Sequence, residues 1–543
     1  MTDIKLNDII FFVGSGISNN NPSGLPLGNQ LTKFIIDLSC GQKTGAAIIN
    51  TWRAASTQIS LYNSNLWFPM PRLETICGCV YEIDKIMNRK SILSGFLSFS
   101  TIPYNYNHYI LSEFLRNGAI ILTTNFDLGI ENAYSNKYND FTNIFIDETS
   151  VFKTSHGGMV YHLHGSTNNS IEQLGATIAR VKNGLNNNIK EHLINKINNS
   201  KKMIFLGYGA VDSFDITPLL ESKKISGENL IFVQHQENEN SSCNKKEVKF
   251  PYYLNRITKR FAHVELLACN TTMFLKNLAN KNLIDISDQE KSRICFNWEK
   301  EFLHAMGGEY TDDEKLLNYL GIRYQLGFNP RIVEKEIPKI VNNIKKLRSK
   351  ITTNSPRIMD YFNMALRDFE TPKNKQFILP AKRVSQAVNF IDKSQIIALR
   401  DECDYYLDKY RNTQIEICKD DNLRINFLLG LLCTYSEFAY DKVQYISYII
   451  TCLKYRALFS ARFKKENPLD INNKELLLSL EISHFEGVVT ALLHSIESTI
   501  IYKEITEDDN KLQIEKLIYT AKSISSIIGC NYYKKIIDNI LNL

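Results

Sequence analysis

The chain has 543 residues, of which 44% are hydrophobic and 22% charged, as is ordinary for a globular protein of several domains. Its 64 basic and 58 acidic side chains give a formal charge of +6, which by itself indicates neither a nucleic-acid nor a membrane partner. No stretch approaches the roughly 20 apolar residues of a membrane-spanning helix, and no signal peptide is evident. The 11 scattered cysteines favour reduced thiols in a cytoplasmic protein over a disulfide framework.

The first half of the chain alternates short apolar runs with longer polar or periodic stretches. This alternation predicts an α/β fold with a parallel, doubly wound sheet. The predicted strands are 9–13, 119–123, 159–163, 203–206, 230–233 and 264–267. A long insertion near 40–110 keeps a helical period and is expected to pack as a cap. Residues 141–153 are expected to add a hairpin.

After about residue 285, strand-like runs fade and helical patterns dominate. One helix is predicted to begin at the N-cap Asn472 and to carry a single apolar seam over 478–496. Another is predicted over 511–528, with Gly529 as its C-cap. The predicted domains are an α/β domain of residues 1–285, with the helical insertion near 40–110, and an all-α domain of residues 286–543.

A glycine-rich turn, Val13-Gly14-Ser15-Gly16-Ile17-Ser18, follows the first predicted strand. Glycines at this position let the chain turn sharply against a ligand. A helix predicted over about 27–38 would offer its free N–H groups, which favour phosphate. A turn without a ligand explains G-x-G equally well, and no ATPase-type phosphate loop is present.

Polar side chains follow the second predicted strand, at the edge where open α/β sheets bind ligands. Asn125 can donate and accept, so it can hold an amide or a water, and Asp127 can accept from an amide N–H₂. The alternative is an Asn–Asp pair that caps the following helix.

Two further strand ends carry candidate residues. His164, after the third strand, has a side chain suited to proton transfer near neutral pH. A structural histidine is the alternative, and a metal pair with His162, with His156 in range, is weaker because a zinc site needs more ligands. After the fourth strand, Asp212 or Asp215 could hold ribose hydroxyls, although capping aspartates explain them equally.

Four segments, in this order, resemble the catalytic domain of sirtuins over roughly residues 5–280. Sirtuin Gly-Ala-Gly-Ile-Ser, Asn-Ile-Asp, His-Gly and Gly-Thr-Ser are similar to Gly14-Ser15-Gly16-Ile17-Ser18, Asn125-Phe126-Asp127, His164-Gly165 and Gly207-Tyr208-Gly209. Gly24-Leu25-Pro26 is similar to the family's Gly-Ile-Pro. The resemblance implies a Rossmann-like fold with NAD as the ligand.

The resemblance also implies a role for each residue. Gly14, Ser15 and Gly16 would approach the pyrophosphate. Asn125 and Asp127 would hold the nicotinamide end and a water, and His164 would be the general base near the nicotinamide ribose. The positions assigned to NAD binding are Gly14, Ser15, Gly16, Ser18, Pro26, Thr124, Gly165, Gly207, Tyr208 and Gly209, with Asp215 added from the strand end.

The chain departs from sirtuin deacylases in two ways. Their zinc module carries two C-x-x-C pairs, whereas residues 165–202 here contain no cysteine and the chain has no C-x-x-C, so no zinc is expected. Gly209 stands where the family usually has serine. The zinc-free arrangement with a helical partner domain resembles bacterial sirtuin-like NAD hydrolases of anti-phage defence. That likeness implies an oligomeric enzyme that depletes NAD in abortive infection, triggered by a phage-derived protein or a partner subunit.

Three other functions stay open. One is an NAD-dependent protein deacylase, which the missing zinc module argues against. Another is a non-catalytic sensor of NAD or ADP-ribose. The weakest is nucleic-acid binding, because a solvated helix face explains short basic runs more often. Those runs are Lys345, Lys346, Arg348 and Lys350, and Arg462, Lys464 and Lys465.

Overall fold

The computed structural model describes most of the chain, with gaps. The described residues are 5–64, 66, 68–140, 142–146, 149–153, 157–168, 170–181, 185–209, 216–237, 244–245, 257–286, 295–328, 393–410, 416–440, 446–463, 467–503 and 511–541. Four of the sequence-based candidates, His156, Asp212, Asp215 and the basic run 345–350, lie outside these residues. Lys464 and Lys465 of the second basic run lie outside them as well.

The chain divides into two compact units. The first comprises Met1–Ile35 and Ile76–Tyr310, and the second comprises Ile36–Thr75 and Thr311–Leu543. Part of the predicted insertion therefore belongs to the same unit as the C-terminal helices, while the described residues 295–310 belong to the first unit.

A nine-stranded sheet forms the centre of the first unit. Its strands are β1 (Ile9–Val13), β2 (Ile120–Thr123), β3 (Thr142–Ile146), β4 (Thr149–Lys153), β5 (Met159–His162), β6 (Lys202–Leu206), β7 (Gly227–His235), β8 (Asn244–Lys245) and β9 (Phe261–Cys269). The order across the sheet is β3-β4-β5-β2-β1-β6-β7-β9-β8. The six strands from β5 to β9 in that order run parallel, and β3, β4 and β8 add antiparallel edges. The predicted parallel sheet and hairpin are confirmed.

Helices surround the sheet and build the second unit. They are α1 (Gly28–Cys40), α2 (Gln42–Tyr62), α3 (Leu73–Ile86), α4 (Tyr106–Arg116), α5 (Gly129–Tyr138), α6 (Ile178–Val181), α7 (Asn187–Asn199), α8 (Ile216–Leu220), α9 (Thr271–Lys281), α10 (Trp298–Ala305), α11 (Asp312–Gln325), α12 (Lys393–Lys409), α13 (Lys419–Tyr440), α14 (Ile446–Phe463), α15 (Pro468–Glu481), α16 (Phe485–Lys503), α17 (Lys511–Ile528) and α18 (Tyr532–Leu541). Short 3₁₀ turns lie at Leu6–Asp8, Ser15–Ile17, Ile92–Thr101 and Ile171–Gln173. None of the helices in the described ranges is long and apolar enough to cross a bilayer.

The core of the first unit lies on both faces of the sheet. In β1, Phe11 and Val13 pack into one hydrophobic cluster, while Ile10 and Phe12 pack into another. Successive side chains of a strand point to opposite faces, so a strand covered on both sides must be apolar throughout. This explains why β1 is an unbroken apolar run.

The described residues of the second unit form helices joined by irregular segments, with no strand among them, as predicted for the C-terminal half. The helix over 511–528 and the cap at Gly529, with a φ of 83°, are confirmed. The prediction of a helix beginning at Asn472 is wrong, because α15 begins at Pro468 and Asn472 is buried within it. The single seam over 478–496 is also divided, since Ser483 adopts a φ of 59° and ends the helix before α16 begins.

Candidate active site

The order in which the chain adds parallel strands to the sheet reverses at β1. From β1 the chain first builds β2 and β5 on one side, then returns to build β6, β7 and β9 on the other. Numbered along the chain, the six parallel strands have the order 3-2-1-4-5-6 of dinucleotide-binding sheets. In such sheets ligands bind beyond the carboxyl ends of the strands where the order reverses, which here lies between β1 and β6.

Glycines from both strands meet at this reversal point. A Cβ on Gly14 would lie 2.7 Å from the carbonyl oxygen of Gly207, and one on Gly16 would lie 2.7 Å from the Gly207 Cα. Gly207 has a φ of 60°, and its carbonyl oxygen accepts from the Gly16 N–H at 3.0 Å. The glycines are therefore required by the packing of the two turns on each other, a reason that the sequence did not reveal.

Asn125 is held by its neighbours through both its backbone and its side chain. Its amide Nδ2 donates to the carbonyl oxygen of Gly14 at 3.3 Å and to the Ser18 hydroxyl at 3.2 Å. Its backbone N–H donates to the Thr123 hydroxyl at 3.0 Å. Both amide protons are thus used, and the side-chain oxygen Oδ1 makes no hydrogen bond within the described part of the chain. Asn125 can therefore offer a ligand an acceptor.

Ser18 links Asn125 to a carboxylate and a histidine. Its hydroxyl donates to Asp127 Oδ2 at 2.9 Å and lies 2.9 Å from Nε2 of His108 on α4. The Asn105 backbone N–H approaches His108 Nδ1 at 3.2 Å, so Nδ1 accepts and Nε2 carries the proton of the neutral ring. Burial lowers the pKa of His108 despite the nearby Asp127 charge, which keeps the ring neutral. The Ser18 oxygen accordingly accepts two hydrogen bonds and donates one.

The Asp127 carboxylate also belongs to the start of α5. Its Oδ1 accepts from the backbone N–H of Gly129, the first residue of that helix, at 3.0 Å. The alternative of a capping aspartate is therefore partly realised. Because Oδ2 is bound to Ser18 at the same time, the carboxylate connects the helix start to the glycine-rich turn.

His162, the last residue of β5, faces the backbone carbonyl of Asn125, whereas Gly14 and Ser18 bind its side chain. Its Nδ1 is 3.0 Å from the Asn125 carbonyl oxygen, and its Nε2 contacts Oε1 of Glu131 on α5. Burial disfavours the imidazolium, but the Glu131 carboxylate outweighs it and raises the pKa of His162. A metal pair with His164 is not formed, since β5 ends at His162 and its nitrogens bind protein groups.

His164 lies in the turn that follows β5, next to the segment after β2. The register pairs Thr123 with His162, and the Leu163 N–H donates to the Thr123 carbonyl at 2.8 Å. Asn125 and His164 each follow a paired residue by two positions, so their segments are neighbours. His164 is buried, with 7% of its surface exposed.

Gly175 supports His164 from behind. A Cβ on Gly175 would lie 2.8 Å from the His164 Cβ and 3.0 Å from its Cγ. The Gly175 N–H also donates to the His164 carbonyl at 2.7 Å. His164 can hold this position only because residue 175 has no side chain.

Most of the remaining predicted binding residues directly follow these strands, whereas Pro26 precedes α1. Pro26 and Tyr208 are buried, Ser15 and Thr124 are half-buried, and Gly209 is exposed. Gly165 has a φ of 75°, and a Cβ there would lie 2.9 Å from the carbonyl oxygen of Gln173. Asp215 lies outside the described residues, so its assignment stays a prediction.

Three residues that shape the site were not predicted from the sequence: His108, Glu131 and Gly175. Asn105 and His108 form a capping box at the start of α4, with His108 at the position where Glu or Gln is usual. Nothing in the spacing indicated that His108 reaches Ser18, which is 90 residues away. Gly175 has no motif around it, since its role arises from contact alone.

We expect Gly175→Ala to displace His164. The kcat of the reaction in which His164 is expected to act should then fall by about 10- to 100-fold, because misplacing a reacting group by about 1 Å has effects of that size. Gly28→Ala is the matched control, since a Cβ at Gly28 meets nothing within 4 Å. Steady-state kinetics of both variants give the comparison. Equal activities in the two would contradict a positioning role for Gly175.

Comparison with known proteins agrees with this architecture. Residues 119–250 match the family described as SIR2-like domain, which covers the segments carrying Asn125, Asp127, His164 and Gly207. No curated protein matches the chain. The match supports a sirtuin-type function that uses NAD. Within the described ranges, no group of three or more His, Cys, Asp or Glu side chains could hold a metal ion.

Proposed function

We propose that the first unit is an NAD hydrolase that cleaves the bond between nicotinamide and ribose. The observation that carries the proposal is the hydrogen-bonded set of Asn125, Ser18 and Asp127 at the strand reversal, with His164 on the neighbouring strand end. Two features of this region suit the binding of a dinucleotide. Glycine backbone at the ends of β1 and β6 allows close approach, and buried polar side chains lie beside it.

The residues would divide the work as follows. The free acceptor Oδ1 of Asn125 would orient a water or the carboxamide of the leaving group. The Asp127 carboxylate would stabilise positive charge that develops on the ribose. His164 would take the proton of the water that captures the sugar. The nicotinamide would leave with the electron pair of the glycosidic bond, the water oxygen would bond to the ribose carbon, and the proton of that water would pass to His164.

Chromatography of NAD after incubation with the purified chain tests this proposal. We expect nicotinamide and an ADP-ribose product without any added peptide. A protein deacylase would instead consume NAD only when an acylated peptide is present. Binding of NAD in calorimetry without turnover would favour a non-catalytic sensor. Either of these results would reject the hydrolase.

We further propose that the second unit regulates this activity in anti-phage defence. Uncontrolled loss of NAD would kill the cell, so the resting protein should be inhibited to a low but measurable rate of NAD hydrolysis. A phage-derived protein or rearrangement of an oligomer should then release it. Extract from phage-infected cells should then raise the rate of NAD loss, whereas extract from uninfected cells should not. Constant high activity, indifferent to infection, would contradict the regulatory role.

A further inference from the structure

A buried ionisable pair lies directly behind Asn125. His162 is 2% exposed and Glu131 is 9% exposed. One ring nitrogen of His162 faces the Asn125 carbonyl oxygen at 3.0 Å, and the other contacts the Glu131 carboxylate. The pair therefore bridges α5 to the backbone of the segment that follows β2.

The two acceptors around His162 indicate its protonation state. A backbone carbonyl only accepts, so His162 Nδ1 must carry a proton and donate it to Asn125. An ionised Glu131 also only accepts, so Nε2 must carry a second proton, making an imidazolium next to a carboxylate. The raised pKa of His162 agrees with this state. Hydrogen bonds with a charged donor are shorter and stronger than neutral ones.

Neutral groups hold the side chain and the backbone N–H of Asn125. The Asn125 side chain is held by Gly14 and Ser18, and its backbone N–H by the Thr123 hydroxyl. Of the hydrogen bonds described around Asn125, only the one from His162 reaches its carbonyl oxygen. Without it, the peptide after Asn125 would lose the hydrogen bond to its carbonyl oxygen, so the backbone that carries the Asn125 side chain would be restrained from one side only.

We propose that His162 and Glu131 are positioning residues that hold Asn125 in its reactive orientation. They contact no reacting atom and act only through the Asn125 carbonyl. The inference rests on the proposed hydrolase function, since Asn125 is assigned there to orient the water or the leaving group.

The test compares two double variants. One removes both His162 and Glu131, and the other keeps an N–H donor to the Asn125 carbonyl without the charges. His162→Leu/Glu131→Leu leaves no buried charge without a partner, and such replacements of buried ion pairs are often tolerated by the fold. His162→Asn/Glu131→Gln returns an N–H near the place of Nδ1, with a neutral neighbour. His192→Leu is the control, because His192 bonds Tyr161 on the same strand at 2.8 Å but does not contact Asn125.

We expect the double leucine variant to lose about 10- to 100-fold in kcat for nicotinamide release, as misplacement of a reacting group does. The Asn/Gln variant should recover most of that loss, and His192→Leu should keep the wild-type kcat. A merely structural role predicts instead that activity follows the folded fraction, which denaturant unfolding of each variant measures.

The possible failures are distinguishable. A wild-type kcat in the double leucine variant, or an Asn/Gln variant no better than it, overturns the positioning role while the hydrolase stands. If the double leucine variant does not fold, the Asn/Gln variant decides alone, because the proposal requires it to fold with near wild-type kcat. No nicotinamide release from the wild-type chain overturns the hydrolase and this inference together.

Discussion

His164→Ala is expected to lower nicotinamide release by about 10²- to 10⁴-fold, the usual contribution of a general acid–base group. Asn125→Ala should cause a loss of similar size, since it removes the acceptor at Oδ1 and the hydrogen bonds to Gly14 and Ser18. The measurement is a time course of nicotinamide release at saturating NAD. Loss in kcat with unchanged unfolding places the effect on the reaction.

His263→Ala is the control for these variants. His263 lies on β9 of the same sheet and is exposed, so its removal should change neither the rate nor the stability. Full activity in His164→Ala would remove His164 from the mechanism. Full activity in Asn125→Ala would show that Asn125 does not take part in the reaction. The positioning role of His162 and Glu131 would then fail as well, because it acts through Asn125.

Gly207→Ala is expected to destabilise the first unit by about 3 kcal/mol or more, combining a left-handed backbone with a steric clash. Gly207 has a φ of 60°, and a Cβ there would lie 2.7 Å from the backbone nitrogen of Ile17. The neighbour is backbone, which cannot swing aside as a flexible side chain can. Denaturant unfolding gives the change in unfolding free energy.

Gly157→Ala separates the two causes of that loss. Gly157 has a φ of 91°, but a methyl group at this position would meet nothing within 4 Å, so only the backbone cost of about 1 kcal/mol applies. The difference between the variants measures the clash between the turns after β1 and β6. If both variants lose the same stability, the interlocking of Gly14, Gly16 and Gly207 does not constrain the site.

The central strands β1, β2 and β6 could be predicted because each is a largely apolar run that the fold buries on two faces. The predicted 203–206 became β6 at Lys202–Leu206, and the hairpin expected over 141–153 became β3 and β4. The helix over 511–528 was predictable from its period and from the glycine that ends it. In these elements the local pattern and the tertiary environment demand the same residues.

The helix around residue 480 could not be predicted from its seam. Leu478 and Val489 both face a buried interior, as the apolar spacing required, yet Ser483 breaks the backbone between them. A serine in the left-handed region is stabilised by its surroundings: the backbone N–H of Arg72 donates to its hydroxyl at 2.9 Å. That partner is 411 residues away, so no local pattern indicates it.

By itself the sequence determined where the strands end and which polar residues stand there, because buried strands, glycine turns and strand-end side chains are properties of short segments. The tertiary structure alone decided what those residues do to one another. Ser18 meets His108 and Asp127 across 90 and 109 residues, and His162 meets Glu131 across 31. Hydrogen bonds join groups that the fold brings together, whatever their distance along the chain, and a linear pattern does not record that proximity.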